Sequence, residues 1–451
     1  MSLEEETLLA AIIEHPDDDR PRLAMADLIA PRDLRRAEFI RIQCLLAVPG
    51  DNDPRLPGLR NREEELLRDF AKQWAAPLDG WVEGSVFRRG FVEAVTVDLR
   101  QLVDHAHDIF GRAPVRELTL VYDGEDEEFL GGVMRVAQSP YLQRVTTLDL
   151  SQITLDEIAF SLLMASPHLR YLKSLLISDE DCTVASAQVL AQASHLFQLN
   201  TLALLGYIGS TLGDVGVEIL ASAPHLSSVR ELLLINDRVG PTGVQALARS
   251  PYLTHLTTLA LGGGNYTLNR IGLQGVEALV SSPNFASLTS LDLDFNQIGD
   301  KGAEALAVSS YMTNITSLRL QANMIGDAGA RALATSHAFS QLSLLDLSHN
   351  PIGDRGIEAL AVSPLLAQLS ILWLYQTRIT WRAVQTLVNT PSALHLRELN
   401  LVNTAVGHKG VEALLQSPYL TNITKLQLAL VHLNEREKQA LRQRFGDRVS
   451  W

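Results

Sequence analysis

The chain has 451 residues, of which 46% are hydrophobic and 20% are charged, a composition typical of folded globular proteins and not of disordered ones. Its formal net charge of −14 and its pI of about 5.3 disfavour non-specific binding to nucleic acid or to an anionic membrane. No apolar run approaches the roughly 20 residues that a membrane span requires.

The N-terminus is acidic, since it reads MSLEEE over residues 1–6. A secretory signal peptide has the opposite, basic start. The two cysteines, Cys44 and Cys182, have neither a metal-binding spacing nor a disulfide framework, which suits a reducing compartment. These observations predict a cytoplasmic protein.

Residues 1–80 form a region with a helical pattern and more charge, and we expect a small helical N-terminal domain there. Residues 22–43 read RLAMADLIAPRDLRRAEFIRIQ, and residues 86–97 read VFRRGFVEAVTV. Both segments resemble the repeat-companion domain, a bacterial module found ahead of repeat arrays. The matching positions are Arg22, Leu23, Asp27, Arg36, Ala37, Glu38, Phe39, Ile40, Arg41 and Gln43. Met25, Leu28 and Asp33 depart from the module's pattern, and the resemblance implies no activity.

The charged residues of this module allow two interpretations. Arg36, Glu38 and Arg41 could form a small docking site, or they could pair with each other and with the first repeat to cap the array. Residues 87–97 are expected to form strands that begin a sheet. Residues 81–114 are therefore predicted to be an N-terminal cap that leads into the repeats.

A repeat of about 27 residues occupies most of the remaining chain. The last five steps between its copies are all 27 residues long, and the twelve segments of the form L-x-x-L-x-L begin at Val115, Val145, Leu172, Leu199, Val229, Leu256, Leu288, Ile315, Leu342, Leu369, Leu396 and Ile423. Alternating apolar residues predict a short strand in each copy, and the part after Gly-Asp predicts a helix. Asp300, Asp327 and Asp354 are expected to be its N-caps. Stacked copies would bury one continuous core.

The consensus L-x-x-L-x-L-x-x-N-x-I-G-D-x-G resembles the leucine-rich repeats of the ribonuclease-inhibitor type over residues 115–430. The resemblance implies an α/β leucine-rich-repeat solenoid, a curved horseshoe with parallel strands on the concave face and helices on the convex face. It also implies that Asn296, Asn323 and Asn350 bond the turn backbone through their amides. Asp237, Thr377 and Thr404 stand at this position elsewhere. Residues 431–451 predict a C-terminal cap made of a charged helix and a short strand.

No catalytic motif is present, because the chain lacks G-x-x-x-x-G-K-[ST], G-x-S-x-G and H-E-x-x-H. His105 and His107 are two residues apart and would point in different directions from a helix. Three further histidines could pack in turns, where other copies have tyrosine, or could bind a metal at neighbouring repeats: His168, His195 and His225. Packing is the favoured interpretation. We expect no enzymatic activity, no cofactor and no metal.

The residues between the core leucines are expected to face the concave side, where a partner would bind. The predicted contact residues there are Asp292, Asp294, Arg319, Asp346, Trp373, Tyr375 and Asn400. Trp and Tyr are frequent binding anchors, and the carboxylates suit a partner of basic character. The alternative is that neighbouring side chains on the sheet cover Trp373 and Tyr375 with no partner involved.

Three copies contain extra residues between strand and helix, at 121–128, 205–212 and 262–270, so the insertions share one edge of the array. Tyr207 and Tyr266 are the predicted contact residues on this edge. We expect a non-enzymatic scaffold that binds a protein or peptide, and neither nucleic acid nor membrane, on the concave face and this edge. The alternatives are an activator of a GTPase or other nucleotidase, using Asn265 and Arg270, and a sensor of a small molecule or glycan on the aromatic residues.

Overall fold

A computed structural model of the chain describes residues 2–47, 53, 55–124, 128–178, 181–206, 210–264, 269–429, 431 and 433–451. The chain divides into two compact units, residues 1–177 (unit 1) and residues 178–451 (unit 2). Within the described residues, no helix is both long enough and apolar enough to cross a membrane.

Unit 1 begins with four helices, in agreement with the helical pattern of the sequence. They are α1 (Leu3–Glu14), α2 (Asp19–Ile29), α3 (Leu34–Leu46) and α4 (Leu56–Ala75). The first three have side-chain N-caps, in which Ser2, Asp18 and Asp33 accept hydrogen bonds from backbone N–H groups of the first turn. Their shared core consists of Leu9, Ile12, Met25, Ala26, Ile29, Ala37, Ile40 and Cys44.

The predicted pairing of Arg36, Glu38 and Arg41 with each other is wrong. Glu38 accepts from Arg62 of α4 at 2.9 Å, and Arg41 pairs with Asp27 of α2 at 2.6 Å. The guanidinium of Arg36 lies among aromatic rings instead. Residues two, three and five apart on α3 point to different neighbours, so each charge meets a partner from another element.

Residues 87–97 form strands, as expected from their sequence. They belong to an antiparallel hairpin of β1 (Gly84–Arg88) and β2 (Phe91–Asp98). Gly90 in its turn has φ +88°, and a Cβ there would lie 2.7 Å from the Cα of Ile40, so only glycine allows this approach of the turn to α3. The Gly90 N–H also donates to Oε1 of Gln43 at 2.6 Å. The two segments of the companion-like sequence therefore pack directly against each other.

The rest of unit 1 alternates helices with strands. These elements are α5 (Leu99–Arg112), β3 (Glu117–Val121), α6 (Phe129–Ala137), β4 (Thr147–Gln152), α7 (Glu157–Met164) and β5 (Ser174–Ser178), whose last residue falls in unit 2. β2, β3, β4 and β5 pair in this order and are all parallel. This order is that of consecutive repeats stacked side by side.

Unit 2 continues the alternation of one strand and one helix per repeat. Its helices are α8 (Val184–Gln192), α9 (Gly213–Ala221), α10 (Pro241–Arg249), α11 (Gly272–Val280), α12 (Gly299–Ala307), α13 (Asp327–Ala334), α14 (Asp354–Ala361), α15 (Trp381–Val388), α16 (Gly407–Gln416) and α17 (Glu435–Phe445). Its strands are β6 (Thr201–Leu205), β7 (Glu231–Ile235), β8 (Thr258–Ala260), β9 (Ser290–Asp292), β10 (Ser317–Arg319), β11 (Leu344–Asp346), β12 (Ile371–Trp373), β13 (Glu398–Asn400), β14 (Lys425–Gln427) and β15 (Val449–Ser450). The α/β leucine-rich-repeat solenoid predicted from the sequence is thus confirmed.

The register of the parallel strands places equivalent leucines of successive repeats side by side. Leu291 pairs with Leu318, and Leu345 pairs with Leu372, in the same ladder. These leucines are at most 1% exposed, as are Ala303 and Leu306 on the inner side of α12. Burying such side chains from both layers is the main stabilising contribution, at about 25 cal/mol for each Å² of apolar surface. One continuous aliphatic core therefore runs through the repeats of unit 2.

A ladder of buried asparagines links successive turns of unit 2. The amide of Asn323 donates to the carbonyls of Leu293 (2.8 Å) and Gln321 (3.1 Å), and its Oδ1 accepts from the N–H groups of Asn296 (3.0 Å) and Ile298 (3.4 Å). Asn296 and Asn350 make equivalent bonds one repeat away on either side. The expected bonding of the turn backbone by these amides is confirmed.

Asp300, Asp327 and Asp354 do not cap their own helices, so that prediction is wrong. Each lies in the first turn of its helix and accepts from the backbone at the start of the next one. Oδ1 of Asp327 accepts from the N–H groups of Gly353 (2.7 Å) and Gly356 (3.0 Å). Because the helices lie side by side, the free N–H groups of one helix are within reach of a carboxylate on its neighbour. The motif therefore caps between repeats.

Replacing Asp327 by Ala should lower the free energy of unfolding by about 1–2 kcal/mol, the range for loss of an N-cap. Two backbone N–H groups at the start of α14 would lose their acceptor. Urea denaturation would measure the change. Glu358→Ala on the exposed side of α14 is the control, and an equal small change in both variants would contradict capping between repeats.

The C-terminal residues form the predicted helix and short strand, α17 and β15. The α17 N-terminus has a capping box in which Asn434 and Glu437 bond reciprocally. Arg444 donates to the carbonyls of Leu415 and Ser417, and Arg448 donates to the carbonyl of Ile423 at 3.0 Å. These arginines satisfy carbonyl groups at the end of the last complete repeat.

Candidate functional site

The strands of unit 2 place the predicted contact residues in rows on the side of the sheet opposite the buried leucines. In one row, Asp292 is opposite Arg319, Arg319 is opposite Asp346, Asp346 is opposite Trp373, and Trp373 is opposite Asn400. Parallel strands are about 4.8 Å apart, so Asp292 and Trp373 lie roughly 14 Å apart along the row. We call the following residues the strand-face patch: Asp292, Asp294, Arg319, Asp346, Trp373 and Tyr375.

The two aromatic rings of the patch are half-buried, and each contacts a neighbouring side chain. The guanidinium of Arg319 lies over the ring of Trp373, 5.5 Å from its centroid, and His349 meets Tyr375 edge-on at 4.5 Å. The Nε1–H of Trp373 is nevertheless buried and has no hydrogen-bond partner among the described residues. A buried donor without an acceptor destabilises the protein by about 1–3 kcal/mol. Neighbouring side chains therefore contact the rings and leave this donor unsatisfied.

The carboxyl groups of the patch are held by backbone N–H groups. Asp292 accepts from the N–H of Asp294 (2.9 Å), Asp294 from that of Gln321 (2.6 Å), and Asp346 from that of Ser348 (2.8 Å). Asp346 is only 3% exposed, so it contributes charge to the patch and almost no contact surface.

Burial raises the pKa of each carboxyl in the patch. For Asp294, burial and then repulsion from Asp292 and Asp346 raise the pKa to about 8. Burial is also the largest cause of the raised pKa of Asp292 and of Asp346, and Arg319 acts against it in both. The cation present on the patch therefore compensates the carboxyl charges only in part.

The other predicted contact residues are placed as follows. Asn400 is half-buried, and its Oδ1 accepts from the N–H of Val402 at 3.0 Å. Tyr207, Tyr266 and Asn265 lie outside the described residues. Arg270 is exposed and its backbone N–H donates to the carbonyl of Val239 at 2.9 Å.

Three of the histidines discussed in the sequence, His225, His105 and His107, contact neighbouring residues. His225 donates through Nε2 to the carbonyl of Leu190 at 3.0 Å. His105 stacks on Trp81, whereas Nδ1 of His107 hydrogen-bonds the hydroxyl of Tyr141 at 2.7 Å. In the part of the chain that the structure describes, no group of three or more His, Cys, Asp or Glu side chains could hold a metal ion.

The sequence pattern does not reveal the roles of two buried polar residues of the turns, Asn269 and Asp237. Asn269 continues the asparagine ladder, because its amide donates to the carbonyls of Leu234 (2.7 Å) and Leu261 (2.9 Å). The insertion of residues 262–270 hid this, although N-x-x-G is shared by Asn269 and Asn296. Asp237 is completely buried, accepts from Ser210 at 2.8 Å, and has a pKa raised by burial to about 8.

Comparison with known proteins agrees with this architecture. A family model described as a leucine-rich repeat matches residues 286–307, 311–334, 342–361 and 392–415. A search of curated proteins gave no match.

Two solved structures are similar in fold. An internalin (inlF) from Listeria monocytogenes is 19% identical, with a TM-score of 0.43, over 85% of this chain and 93% of that one. A chain of the Rad7 and Elc1 complex in yeast is 14% identical, with a TM-score of 0.49, over 87% of this chain and 92% of that one. These identities and TM-scores are too low to bear on what this chain binds. The matched repeats, and the strand and helix that recur in both units, show a leucine-rich-repeat fold.

Proposed function

We propose that the chain is a non-enzymatic interaction scaffold and that the strand-face patch binds a peptide segment carrying a basic side chain. The observation that carries this proposal is the indole of Trp373, which is half-buried opposite Asp346 and whose N–H has no partner in the described part of the chain. A peptide carbonyl could accept from this N–H. The rings supply the apolar contact that anchors of this kind provide, since Trp and Tyr dominate binding energies at interfaces.

Charge supports a basic partner. The patch has three carboxyl groups and the single guanidinium of Arg319, which is already engaged with Trp373. An incoming Lys or Arg side chain would stabilise the ionised carboxylates and lower their pKa. Because the pKa of Asp294 is raised to about 8, such a peptide should bind more tightly at pH 8 than at pH 6. A phosphate backbone would meet the same carboxylates unfavourably, so we propose no nucleic-acid partner.

The geometry of the rows suits an extended segment. Asp292 and Trp373 are about 14 Å apart across three strand spacings. An extended chain covers about 3.3 Å per residue, so about four residues would reach from the carboxylates to the rings. We therefore propose a partner segment with a basic residue about four positions from a residue that contacts Trp373 and Tyr375.

Trp373→Ala should weaken binding of peptides selected against this chain by at least about 30-fold, the effect of removing a 2 kcal/mol hot spot. Peptides would be selected from a random display library on the full-length protein, and their dissociation constants measured by calorimetry at pH 6 and pH 8. We expect the selected peptides to be rich in Lys and Arg. Tyr375→Ala should act in the same direction.

Trp381→Ala is the matched control, because Trp381 is also half-buried and carries a nearby cation, Lys409 Nζ at 4.6 Å, but lies on helix α15. It should leave the selected peptides bound. The proposal fails if those peptides lack basic residues, or if Trp373→Ala and Trp381→Ala bind them equally well. A large fall in the melting temperature of Trp373→Ala would show that the ring has a packing role instead.

A further inference from the structure

Unit 1 contains an apolar cavity that is separate from the strand-face patch. Its volume is about 190 Å³. It lies between α1, α2, α3, the end of α4 and β2. Its lining consists of Leu9, Met25, Ile29, Arg36, Ile40, Trp74, Ala75, Pro77, Leu78, Phe91, Val92, Arg112 and Ala113. Most of these residues are apolar, and two of them are arginines.

The guanidinium of Arg36 is surrounded by rings and forms no ion pair with a described carboxylate, although the charge of Asp33 in part opposes the lowering of the Arg36 pKa by burial. Its centre lies 4.9 Å from the ring centroid of Trp74, and three phenylalanine rings are within 5.6 Å. Its Nη1 is buried without a hydrogen-bond partner, and no ion pair of Arg36 occurs among the described residues. Burial lowers the pKa of Arg36 to about 10, so the group is still protonated at neutral pH.

Unit 1 contains another buried arginine, Arg22, whose charge is paired with a carboxylate. Its guanidinium is completely buried, pairs with Glu93 at 2.6 Å and donates to the carbonyls of Pro16 and Arg89. Arg36 differs in having an apolar cavity where Arg22 has a carboxylate. Faces of aromatic rings stabilise a guanidinium by about 0.5–2 kcal/mol, but they accept no in-plane hydrogen bond from Nη1.

The second arginine stands where the cavity meets solvent. Arg112 and Pro77 are exposed members of the lining, whereas Leu78, Val92 and Ala113 are buried. The guanidinium of Arg112 lies 4.8 Å from the ring centroid of Trp81 and 3.7 Å from Asp108. A negatively charged ligand would thus pass a cation on entry and meet a second one inside.

We propose that this cavity binds a small organic acid, whose carboxylate pairs with Arg36 and whose apolar body contacts Met25, Ile29 and Ile40. A guanidinium and a carboxylate form paired, charge-assisted hydrogen bonds, and an apolar lining excludes water around them. The small volume and the apolar lining favour an aromatic or branched aliphatic monocarboxylate over inorganic phosphate. This site is independent of the proposed peptide binding.

The test uses the full-length chain and phenylacetate as the probe, with phenylacetamide as its uncharged counterpart. Calorimetry should show saturable binding of phenylacetate at a one-to-one ratio and at least tenfold weaker binding of phenylacetamide. Titration with N-acetylphenylalanine distinguishes a free small acid from the carboxyl end of a peptide. Binding of N-acetylphenylalanine more tightly than phenylacetate would indicate the peptide end. Equal binding of acid and amide, or no saturable binding of either acid at millimolar concentration, would overturn the proposal.

Two variants locate the site. Arg36→Met retains an unbranched, flexible side chain without the charge and should abolish phenylacetate binding. Arg100→Met, at an exposed arginine of the same unit, should not. Because Arg36→Met could disturb the aromatic cluster, Met25→Trp is a second variant that fills the cavity and keeps the guanidinium. Circular dichroism checks that each is folded. Retention of wild-type affinity in a folded Arg36→Met or in Met25→Trp would contradict the assignment.

Discussion

Replacing Asn323 by Leu should lower the free energy of unfolding of unit 2 by about 4 kcal/mol. The Asn323 side chain is completely buried and bonds four backbone groups of two adjacent turns. Leucine would leave the carbonyl of Leu293 and the N–H groups of Asn296 and Ile298 without their side-chain partner, whereas the carbonyl of Gln321 still accepts from the N–H of Phe295 at 2.8 Å. Each buried group left unpaired destabilises the protein by about 1–3 kcal/mol. The loss is greater than for a surface hydrogen bond because water cannot replace the missing partner.

Chemical denaturation of Asn323→Leu, a control variant and the parent protein would measure the loss of stability. Hydrogen exchange would show where in the chain it occurs. Exchange should accelerate first at the amides of Asn296 and Ile298, which lose their acceptor. Asn389→Ala, at an exposed position just after α15, is the control and should change stability by a few tenths of a kcal/mol. A loss no greater than that of the control would show that the ladder contributes little.

Replacing Asp237 by Asn should stabilise the protein progressively as the pH rises. Burial raises the pKa of this carboxyl to about 8, and hydrogen bonds from Ser210 and Cys182 only partly oppose the shift. The unfolded chain has a pKa near 3.9, so folding favours the protonated form. The contribution of this carboxyl to the free energy of unfolding is therefore fully present below about pH 4 and is lost as the pH rises through about 8. Because Asn cannot ionise, the variant does not lose this stability as the pH rises.

The expected gain for Asp237→Asn is small at pH 4 and about 1–3 kcal/mol at pH 8, the range for an unsatisfied buried polar group. Oδ2 of Asp237 has no hydrogen-bond partner among the described residues, so no hydrogen bond stabilises a negative charge on this oxygen. Urea denaturation at pH 4, 6 and 8 would measure the difference between variant and parent. The exposed Asp447→Asn is the control, and a difference that does not grow with pH would refute the buried-carboxyl interpretation.

The periodicity of the sequence was sufficient to predict the repeat array. A leucine at every second position followed by Gly-Asp and an apolar helix requires one buried face per element, and stacking is the arrangement that buries both faces. The same pattern distinguished Leu372 and Leu374, which are buried, from Trp373 and Tyr375, which are half-buried. Those assignments depend on local alternation along one strand, which the sequence contains completely.

The roles of the polar residues could not be predicted in the same way, because their partners lie in other elements. The sequence predicts that Asp327 caps its own helix, whereas the N–H groups that it accepts from are 26 and 29 residues later. Asp346 belongs to the row of contact positions by sequence, yet the neighbouring strands bury it. Interactions between repeats depend on the spacing and tilt of stacked helices, and these are set by packing.

Local patterns in the sequence are sufficient to predict the period, the strand and helix of each repeat, the leucine core and the positions on the strand face. The compensation of buried charges depends on the folded structure: Arg36 lies against rings and a cavity, Arg22 against Glu93, and Asp237 against the hydroxyl of Ser210. The physical reason is that apolar burial follows from local periodicity. The energy of a buried charge instead depends on which atoms of distant residues lie within a few ångströms of it.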